Sequence, residues 1–344
     1  MRELANILPS RMVRCALRSC KGSCQLPLQE LYFAPMAEKI VLGTRGSQLA
    51  RAQAHLVEKA IRVARPHLNI ETQIIATKGD KAARPPASDL RRGRKGIFTA
   101  EIERSLLAGD VDVAVHSAKD LPSEISPGAE IAAVLPRAPT DDVLVSRGRG
   151  GLAALQEDAT IATGSVRRRH QLLWKWPDLK IVDLRGNVPT RLRKLAENDW
   201  DAIVLARAGL ERLGLSLAQG EINFEDRKFF LEALPREIFL SAGGQGIIAM
   251  QIRADDERVR AIVGLVNDRE TLLCLRTERE FLRLLHGDCN SPVGVLATVK
   301  DGVMKLRGQL FDQSFGAPRT GEVEGDLKNG ARLAAQLLKQ INGE

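Results

Sequence analysis

The feature that most constrains the fold of this chain is a repeated unit of apolar strand, glycine-containing turn and helix. In the first unit, residues 40–42 form the strand, residues 43–47 form the turn, and apolar residues then recur every three or four positions, as in a helix. Ser47 is the predicted N-cap of that helix. The same order of elements recurs between residues 160 and 205. Strands that alternate with helices predict α/β domains with mainly parallel sheets.

The first helix is predicted to pack through one apolar face, formed by Leu49, Ala52, Leu56, Ala60 and Val63. After residue 252 the pattern changes. It predicts helices at 256–266 and 269–285, a hairpin of strands at 293–299 and 304–310, and a last helix at about 327–340. This order of elements predicts a small α+β domain at the C-terminus.

Composition excludes several classes of protein. No apolar run approaches the ~18 residues needed to span a bilayer, so a transmembrane protein is excluded. The formal net charge of +8 predicts an anionic partner, whereas the aromatic content of 4% disfavours a binder of single-stranded nucleic acid, which stacks bases on aromatic rings. The five cysteines do not describe a closed disulfide framework, and the cytoplasm is the expected compartment.

Residues 1–35 differ from the rest of the chain, because their basic side chains outnumber the acidic ones. They are either a basic or transit-like extension or the product of an upstream start codon, with Met36 opening the natural chain; we favour the second interpretation. Cys20 and Cys24 would need two further ligands to hold zinc, and neither is near in sequence, so no metal site is predicted.

Three turns place arginine and backbone N–H groups between the end of a strand and the start of a helix. They lie at 43–47, 163–169 and 184–191. Free N–H groups at a helix N-terminus attract anions, and a guanidinium group adds a planar fork that matches a carboxylate or phosphate. Surface helices are often arginine-rich, so one such turn would be uninformative. Three of them, along one edge of the predicted sheets, predict an anion-binding crevice.

Two further residues are candidates for chemistry. Asp120 follows a buried strand at the mouth of the predicted crevice, where a carboxylate can stabilise positive charge or take part in proton transfer. Cys289 lies on a loop after a helix, where a thiolate is accessible, whereas Cys274 is predicted to be a core residue. Taken alone, Asp120 would be interpreted as a turn-capping residue, and His116 as a hydrogen-bonded structural residue.

Eight motifs in a fixed order resemble the porphobilinogen deaminase, or hydroxymethylbilane synthase, family. Each motif alone is weak, but the ordered set is specific. They are GTRGSQLA at 43–50, KGIF at 95–98, HSAKDLP at 116–122, GSVRR at 164–168, LRGNVPTRL at 184–192, AGLERLG at 208–214, GQG at 244–246 and GDCNSPVG at 287–294.

The resemblance implies a three-domain fold, with two α/β domains similar to type II periplasmic binding proteins and a small α+β C-terminal domain. The implied boundaries are an N-terminal extension at 1–38, domain 1 at 39–136 plus 246–264, domain 2 at 137–245 and domain 3 at 265–344. The implied activity is a transferase that joins four porphobilinogen molecules, with loss of ammonia, on a covalently attached dipyrromethane primer. Hydrolysis then releases hydroxymethylbilane for tetrapyrrole biosynthesis, and the primer stays on the protein.

The resemblance also assigns roles to residues at matching positions. Asp120 corresponds to the catalytic aspartate, and Cys289 to the cysteine that holds the primer through a thioether. The implied cofactor-binding residues are these two together with Lys119, Ser165, Arg167, Arg168 and Arg191. The implied substrate-binding residues are Arg45, Ser47, Phe98, Arg185, Arg212 and Gln245. Each pyrrole unit carries an acetate and a propionate, which accounts for the many cations.

Two other functions are weaker interpretations of the same sequence. A non-catalytic anion-binding protein of the periplasmic type would explain the α/β units and the arginines but not Cys289, and a nucleic-acid binder would explain only the net charge. By resemblance the chain is expected to act as a cytoplasmic monomer with no membrane or nucleic-acid partner. Three segments depart from the family pattern: the extension 1–35, the acidic segment 216–236 and the arginine-rich loop 78–94.

Overall fold

The computed structural model describes residues 39–77, 99–285, 292–312 and 314–344. Its strands in chain order are β1 (Lys39–Arg45), β2 (Asn69–Ile75), β3 (Val113–Ser117), β4 (Ala129–Val134), β5 (Asp142–Ser146), β6 (Thr160–Ala162), β7 (Lys180–Val182), β8 (Ala202–Ala206), β9 (Glu221–Phe224), β10 (Arg227–Ala233), β11 (Ile248–Arg253), β12 (Val293–Lys300), β13 (Val303–Leu310) and β14 (Arg319–Asp326). Its α-helices are α1 (Gln48–Ala64), α2 (Ala100–Ala108), α3 (Val166–Lys175), α4 (Val188–Glu197), α5 (Arg207–Glu211), α6 (Glu257–Gly264), α7 (Arg269–Leu284) and α8 (Gly330–Asn342).

The strands form three sheets, with the orders β2-β1-β3-β11-β4, β7-β6-β8-β5-β10-β9 and β12-β13-β14. In the first two sheets β2-β1-β3 and β7-β6-β8 are parallel, and the other neighbouring strands are antiparallel. The predicted α/β class is confirmed. The prediction of mainly parallel sheets is wrong. Each of the first two sheets also contains antiparallel strands, which the pattern of strand, turn and helix does not predict. The three domain boundaries stay predictions.

Side-chain caps fix where the helices next to the site begin. Ser47, Ser165 and Asn187 each accept a hydrogen bond from the backbone N–H three residues further on, at 3.3, 3.4 and 2.9 Å. These caps start α1, α3 and α4, and they satisfy N–H groups that the first turn of a helix leaves free. The prediction of Ser47 as an N-cap is confirmed.

The predicted packing face of α1 is wrong by about one residue. Leu56 is 39% exposed and Val63 is 78% exposed. The buried side of the helix is instead formed by Gln53, Ala54, Val57 and Ile61. Apolar residues occupy two neighbouring stripes of this helix, and their spacing does not tell which stripe the sheet covers.

The C-terminal hairpin is confirmed as the antiparallel pair β12–β13, and the core on this sheet includes Phe281 of α7 and Leu337 of α8. Sequence analysis missed β4, β14 and the hairpin β9–β10. The edge strand β14 has no apolar run, so hydrophobicity does not mark it. The hairpin β9–β10 forms most of the acidic segment 216–236, where Glu221 pairs with Lys228 at 2.9 Å.

A buried carboxylate joins the C-terminal sheet to segments next to strands of the first sheet. Glu278 of α7 is fully buried, and Nη1 of Arg137 donates to its Oε1 at 2.6 Å. The same carboxylate accepts the backbone N–H of Ala297 in β12 and that of Gly244, in the turn before β11, each at 2.7 Å. Glu278 therefore connects the C-terminal sheet to the segments that follow β4 and precede β11.

We predict that Glu278→Ala lowers the free energy of unfolding by about 3–5 kcal/mol, because Arg137 and two backbone N–H groups would lose a buried partner. Glu280→Ala, on the same helix, removes only an exposed ion pair with Arg283 and should cost a small part of that loss. Urea unfolding of both variants measures the difference. Equal losses would show that the Glu278 contacts do not hold these elements together.

Candidate active site

The predicted site residues Arg45, Ser47 and Asp120 line one cavity of about 60 Å³. Arg45 ends β1, Ser47 caps α1, and Asp120 follows β3, the parallel neighbour of β1. The ends of adjacent parallel strands meet at one edge of a sheet, which is why these residues come together. The side chain of Gln53 extends the wall, and its Nε2 donates to Oγ of Ser117 at 2.8 Å.

Lys119 and Asp120 lie on a short 3-10 helix, Ala118–Asp120, that packs against a glycine turn. Gly244 has φ +75°, and a Cβ built on it would lie 3.0 Å from the carbonyl carbon of Ala118 and from the nitrogen of Lys119. Both the backbone conformation and the close approach require glycine here. Because Glu278 binds the N–H of Gly244, the carboxylate on α7 supports the turn that carries Asp120.

The adjacent residues Arg167 and Arg168, at the start of α3, share a single buried carboxylate. Nη1 of Arg167 donates to Oδ2 of Asp142 at 2.8 Å, and Nη2 of Arg168 donates to Oδ1 at 2.7 Å. Asp142 is fully buried, and the two arginines are 4% and 5% exposed. Burial alone would raise the pKa of Asp142, but the two guanidinium groups outweigh it and hold that pKa below its usual range.

Gln245 binds the same carboxylate. Its Nε2 donates to Oδ1 of Asp142 at 2.9 Å and to the carbonyl of Thr140 at 2.7 Å. Its side chain is buried, and within the described part of the chain its Oε1 has no hydrogen-bond partner. The structure thus places Gln245 behind the arginine pair.

The pKa values of Lys119 and Arg191 depend on the charge of Asp120 and on the charges of the arginines at the start of α3. The pKa of Lys119 is lowered to about 8, chiefly by burial. The guanidinium groups of Arg168 and Arg167 contribute to that change, whereas Asp120 and Asp142 oppose it. Burial likewise lowers the pKa of Arg191 to about 10, with Arg168 adding to the shift and Asp120 opposing it.

The charge of Asp120 therefore acts on groups that belong to both sheets. Asp120 lines the cavity with Arg45 of the first sheet, and its charge acts on Arg191, which follows β7 of the second. The convergence of the three arginine-bearing turns on one crevice stays a prediction, which this placement of Asp120 supports.

The other predicted residues lie around this centre. Arg185 pairs with Asp183 at 2.7 Å and is half-exposed. Nη2 of Arg212 donates to the carbonyl of Gly246 at 2.6 Å, and burial lowers the pKa of Arg212 to about 10. Ser47 and Ser165 act as helix caps, as described above. Phe98 and Cys289 lie outside the described residues.

His116 is a neutral residue in a buried hydrogen-bonded chain. Its Nε2 lies 3.1 Å from Oε1 of Gln251, whose Nε2 donates to Oε1 of Glu103 at 2.6 Å. Burial lowers the pKa of His116 to about 4. The structural interpretation of His116 therefore agrees with its contacts, although the residue also lines the cavity.

Arg167 and Arg168 each have an Nε–H group that is available to an acidic ligand. Within the described residues, Nε of Arg167 and Nε of Arg168 are buried and have no hydrogen-bond partner. A buried N–H without a partner is costly, and a carboxylate is the group that a guanidinium fork binds best. The residues present therefore fit a ligand that carries several carboxylates.

Sequence reasoning missed Asp142 and Glu278, although each leaves a signal. Asp142 precedes the buried run Val143, Leu144 and Val145, and a carboxylate at the start of such a strand needs a cation. Glu278 shares a helix face with Cys274 and Phe281, at spacings of four and three residues, so an acid interrupts an apolar stripe.

Within residues 39–77, 99–285, 292–312 and 314–344, no group of three or more His, Cys, Asp and Glu side chains is arranged to hold a metal ion. In the same ranges, no helix has the length and apolar character to cross a bilayer.

Comparison with known proteins matches most of the chain to two family models. Residues 40–261 match the model described as porphobilinogen deaminase, dipyromethane cofactor binding domain, and residues 272–342 match porphobilinogen deaminase, C-terminal domain. Among solved structures, the methionine binding protein MetQ aligns over 68% of this chain and 92% of its own, with 16% identity and a TM-score of 0.42, which is too low to carry an argument.

Curated relatives are similar over nearly the whole of both chains. The porphobilinogen deaminase of Syntrophomonas wolfei is 42% identical over 304 residues, which cover 87% of this chain and 95% of that protein. The porphobilinogen deaminase of Chlorobium phaeobacteroides is 38% identical over 318 residues, which cover 89% and 96%. Together with the Asp120 cavity and its arginines, these matches establish that the chain belongs to the porphobilinogen deaminase family.

Proposed function

We propose that this chain is the transferase that joins four porphobilinogen molecules head to tail, with loss of ammonia, and releases hydroxymethylbilane for tetrapyrrole biosynthesis. The observation that carries the proposal is the position of Asp120, in a cavity with Arg45 and within electrostatic reach of Lys119 and Arg191. A non-catalytic anion-binding protein would need the cations but not a carboxylate among them.

The cations bind the acetate and propionate groups of the pyrrole units. Arg45, with Ser47 beside it, binds the carboxylates of the incoming porphobilinogen. Arg167 and Arg168 bind those of the pyrrole chain that is already attached. Planar guanidinium groups bind carboxylates through two parallel hydrogen bonds, which fixes the orientation of each ring as well as its charge. Arg185, Arg191 and Arg212 extend this surface as the chain grows.

Asp120 has the catalytic role in this proposal. Loss of ammonia leaves a pyrrole with positive charge, and the ring that attacks it also becomes cationic before it loses a proton. A fixed carboxylate in a partly buried cavity stabilises that charge and holds the pyrrole N–H groups. Lys119, next to Asp120, binds a carboxylate of each pyrrole unit near the reacting carbon.

We further propose that Cys289 carries the dipyrromethane cofactor through a thioether and that Phe98 contacts the pyrrole chain, whereas the buried Gln245 acts on the arginine pair through Asp142. When bound, the dipyrromethane supplies the terminal pyrrole carbon to which the first porphobilinogen is attached. The unpartnered Nε atoms of Arg167 and Arg168 support binding of its carboxylates. The hydrogen bond from the backbone N–H of Gly244 to Glu278 supports a fixed position of α7. The segment that contains Cys289 follows α7 in sequence.

The finer setting of the enzyme is also a proposal. We infer a monomer that works in the cytoplasm, without a nucleic-acid partner, from the family resemblance and from the odd number of cysteines, five, which does not describe a closed disulfide framework. Light scattering of the purified chain tests the monomer.

Asp120→Asn should keep the fold and lower the rate of hydroxymethylbilane formation by about 100-fold or more, because the amide cannot stabilise a pyrrole cation. Release of ammonia and of product from porphobilinogen measures the rate. Asp110→Asn is the matched control, since among the described residues the side chain of this exposed aspartate accepts a hydrogen bond only from Ser105. Near-normal turnover by Asp120→Asn, with a folded protein, would refute the catalytic role.

The affinity for porphobilinogen should fall as pH rises through about 8, because Lys119 is an ammonium group below that pH and a neutral amine above it. Lys119→Arg keeps its charge at every accessible pH. We therefore expect KM of the wild type to rise above pH 8 relative to that of Lys119→Arg, and comparison of the two proteins cancels the titration of the substrate itself. The same pH dependence of KM in both proteins would contradict this role.

A further inference from the structure

Both oxygens of the Asp142 carboxylate accept hydrogen bonds from the arginines that the proposed function assigns to binding the pyrrole chain. Each oxygen accepts from a different arginine, and Oδ1 also accepts from Nε2 of Gln245. Among the described residues, Asp142 is the only carboxylate that forms an ion pair with Arg167 or Arg168. One negative charge therefore balances two buried positive charges.

The hydrogen bonds of Arg167 also define the edge that remains for a ligand. Among described residues, its three hydrogen bonds are all donated by Nη1, to Asp142, to Oε1 of Gln171 and to the carbonyl of Leu240. Nε and Nη2 lie on the opposite edge of the planar group, and that edge matches the spacing of carboxylate oxygens. Asp142 thus occupies one corner of the guanidinium group and leaves the edge that binds ligands in two-point fashion.

Arg168 is held through its other terminal nitrogen, so Asp142 lies on the edge that also carries Nε. Its Nη2 donates to Asp142 and its Nη1 donates to the carbonyl of Val204 in β8 at 2.8 Å, whereas its Nε has no partner among the described residues. Without Asp142, both guanidinium groups would keep a backbone carbonyl but lose the charged group that sets their mutual orientation.

We propose that Asp142 is a positioning residue that orients Arg167 and Arg168, from behind, to bind the carboxylates of the pyrrole chain. This inference rests on the proposed function and adds a residue to which no role has been assigned. A surface arginine pair would be free to change rotamer between ligands. A pair fixed by a buried counter-ion meets each new pyrrole unit in one geometry, which lowers the entropic cost of binding.

The charge of Asp142 also reaches Lys119. The groups that act on the Lys119 ammonium are Asp120 on the same 3-10 helix, Arg167 and Arg168 on α3, and Asp142 on β5. The two arginines favour the neutral amine and Asp142 opposes them. Removing the charge of Asp142 should therefore make Lys119 lose its proton at a lower pH than the value of about 8 in the wild type.

The test compares Asp142→Asn with Asp141→Asn in the full-length protein as purified. Asp141 is the neighbouring aspartate, and its partners are Arg207 and Arg236, which the site does not use. Two readouts are needed: kcat/KM for porphobilinogen, and the pH at which Lys119 becomes reactive toward acetic anhydride, followed by mass spectrometry of its peptide. The labelling readout needs no turnover.

We expect Asp142→Asn to lower kcat/KM by about 100-fold, the loss typical of a misplaced binding group. Lys119 in this variant should become reactive at lower pH than in the wild type. Asp141→Asn should match the wild type in both readouts. Wild-type values of kcat/KM and of the Lys119 titration in a folded Asp142→Asn protein would overturn the proposal.

Asp142→Glu keeps the inference testable if the asparagine variant does not fold. The longer side chain retains the charge but displaces the two arginines, so kcat/KM should fall while Lys119 titrates near its wild-type pH. Unchanged kcat/KM in Asp142→Glu would overturn the positioning role. A wild-type protein that makes no hydroxymethylbilane would refute the proposed function, whereas the Lys119 comparison would still test the charge coupling.

Discussion

A single buried carboxylate between two guanidinium groups is the interaction on which the rest of this site depends. A cleft that binds a polyanion must collect cations, and those cations repel one another when no ligand is present. Arg167 and Arg168 are adjacent in sequence and almost fully buried, so water does little to separate their charges. Asp142 balances half of that charge from the protein side, and the unused Nε atoms remain for acidic groups of a ligand.

A second internal carboxylate connects this site to the C-terminal sheet. Glu278 accepts hydrogen bonds from Arg137 and from the backbone of Gly244 and Ala297, three segments far apart in sequence. Gly244 in turn packs on the short helix with Lys119 and Asp120. The turn that carries Asp120 is therefore supported by α7 through two contacts in series, a hydrogen bond from Gly244 to the buried Glu278 and the packing of Gly244 on the short helix. Both internal carboxylates act on the site without lining its cavity.

The sequence predicted the parts of the fold that depend on local chemistry. The cap at Ser47 and the hairpin β12–β13 follow from neighbouring residues, and both are confirmed. The ordered motifs were sufficient to identify the family. The packing face of α1 and the antiparallel strands β9 and β10 depend instead on which distant strand covers which surface, and periodicity carries no information about that choice.

The partners of Asp142 and Glu278 lie beyond local prediction for the same reason. Arg167 is 25 residues from Asp142, and Arg137 is 141 residues from Glu278, so spacing does not relate them. What the sequence does reveal is the presence of an acid in an apolar stretch, which requires some cation nearby. Naming that cation requires the arrangement of the sheets in three dimensions.

The most direct test of this account is the intact mass of the purified protein before and after addition of porphobilinogen. We predict a mass greater than that of the sequence by one dipyrromethane, and then a series of heavier species as pyrrole units are added. Cys289→Ser should abolish the increment, whereas Cys274→Ser, a change in the buried face of α7, should retain it. A protein with the mass of its sequence alone that still makes hydroxymethylbilane would contradict the account.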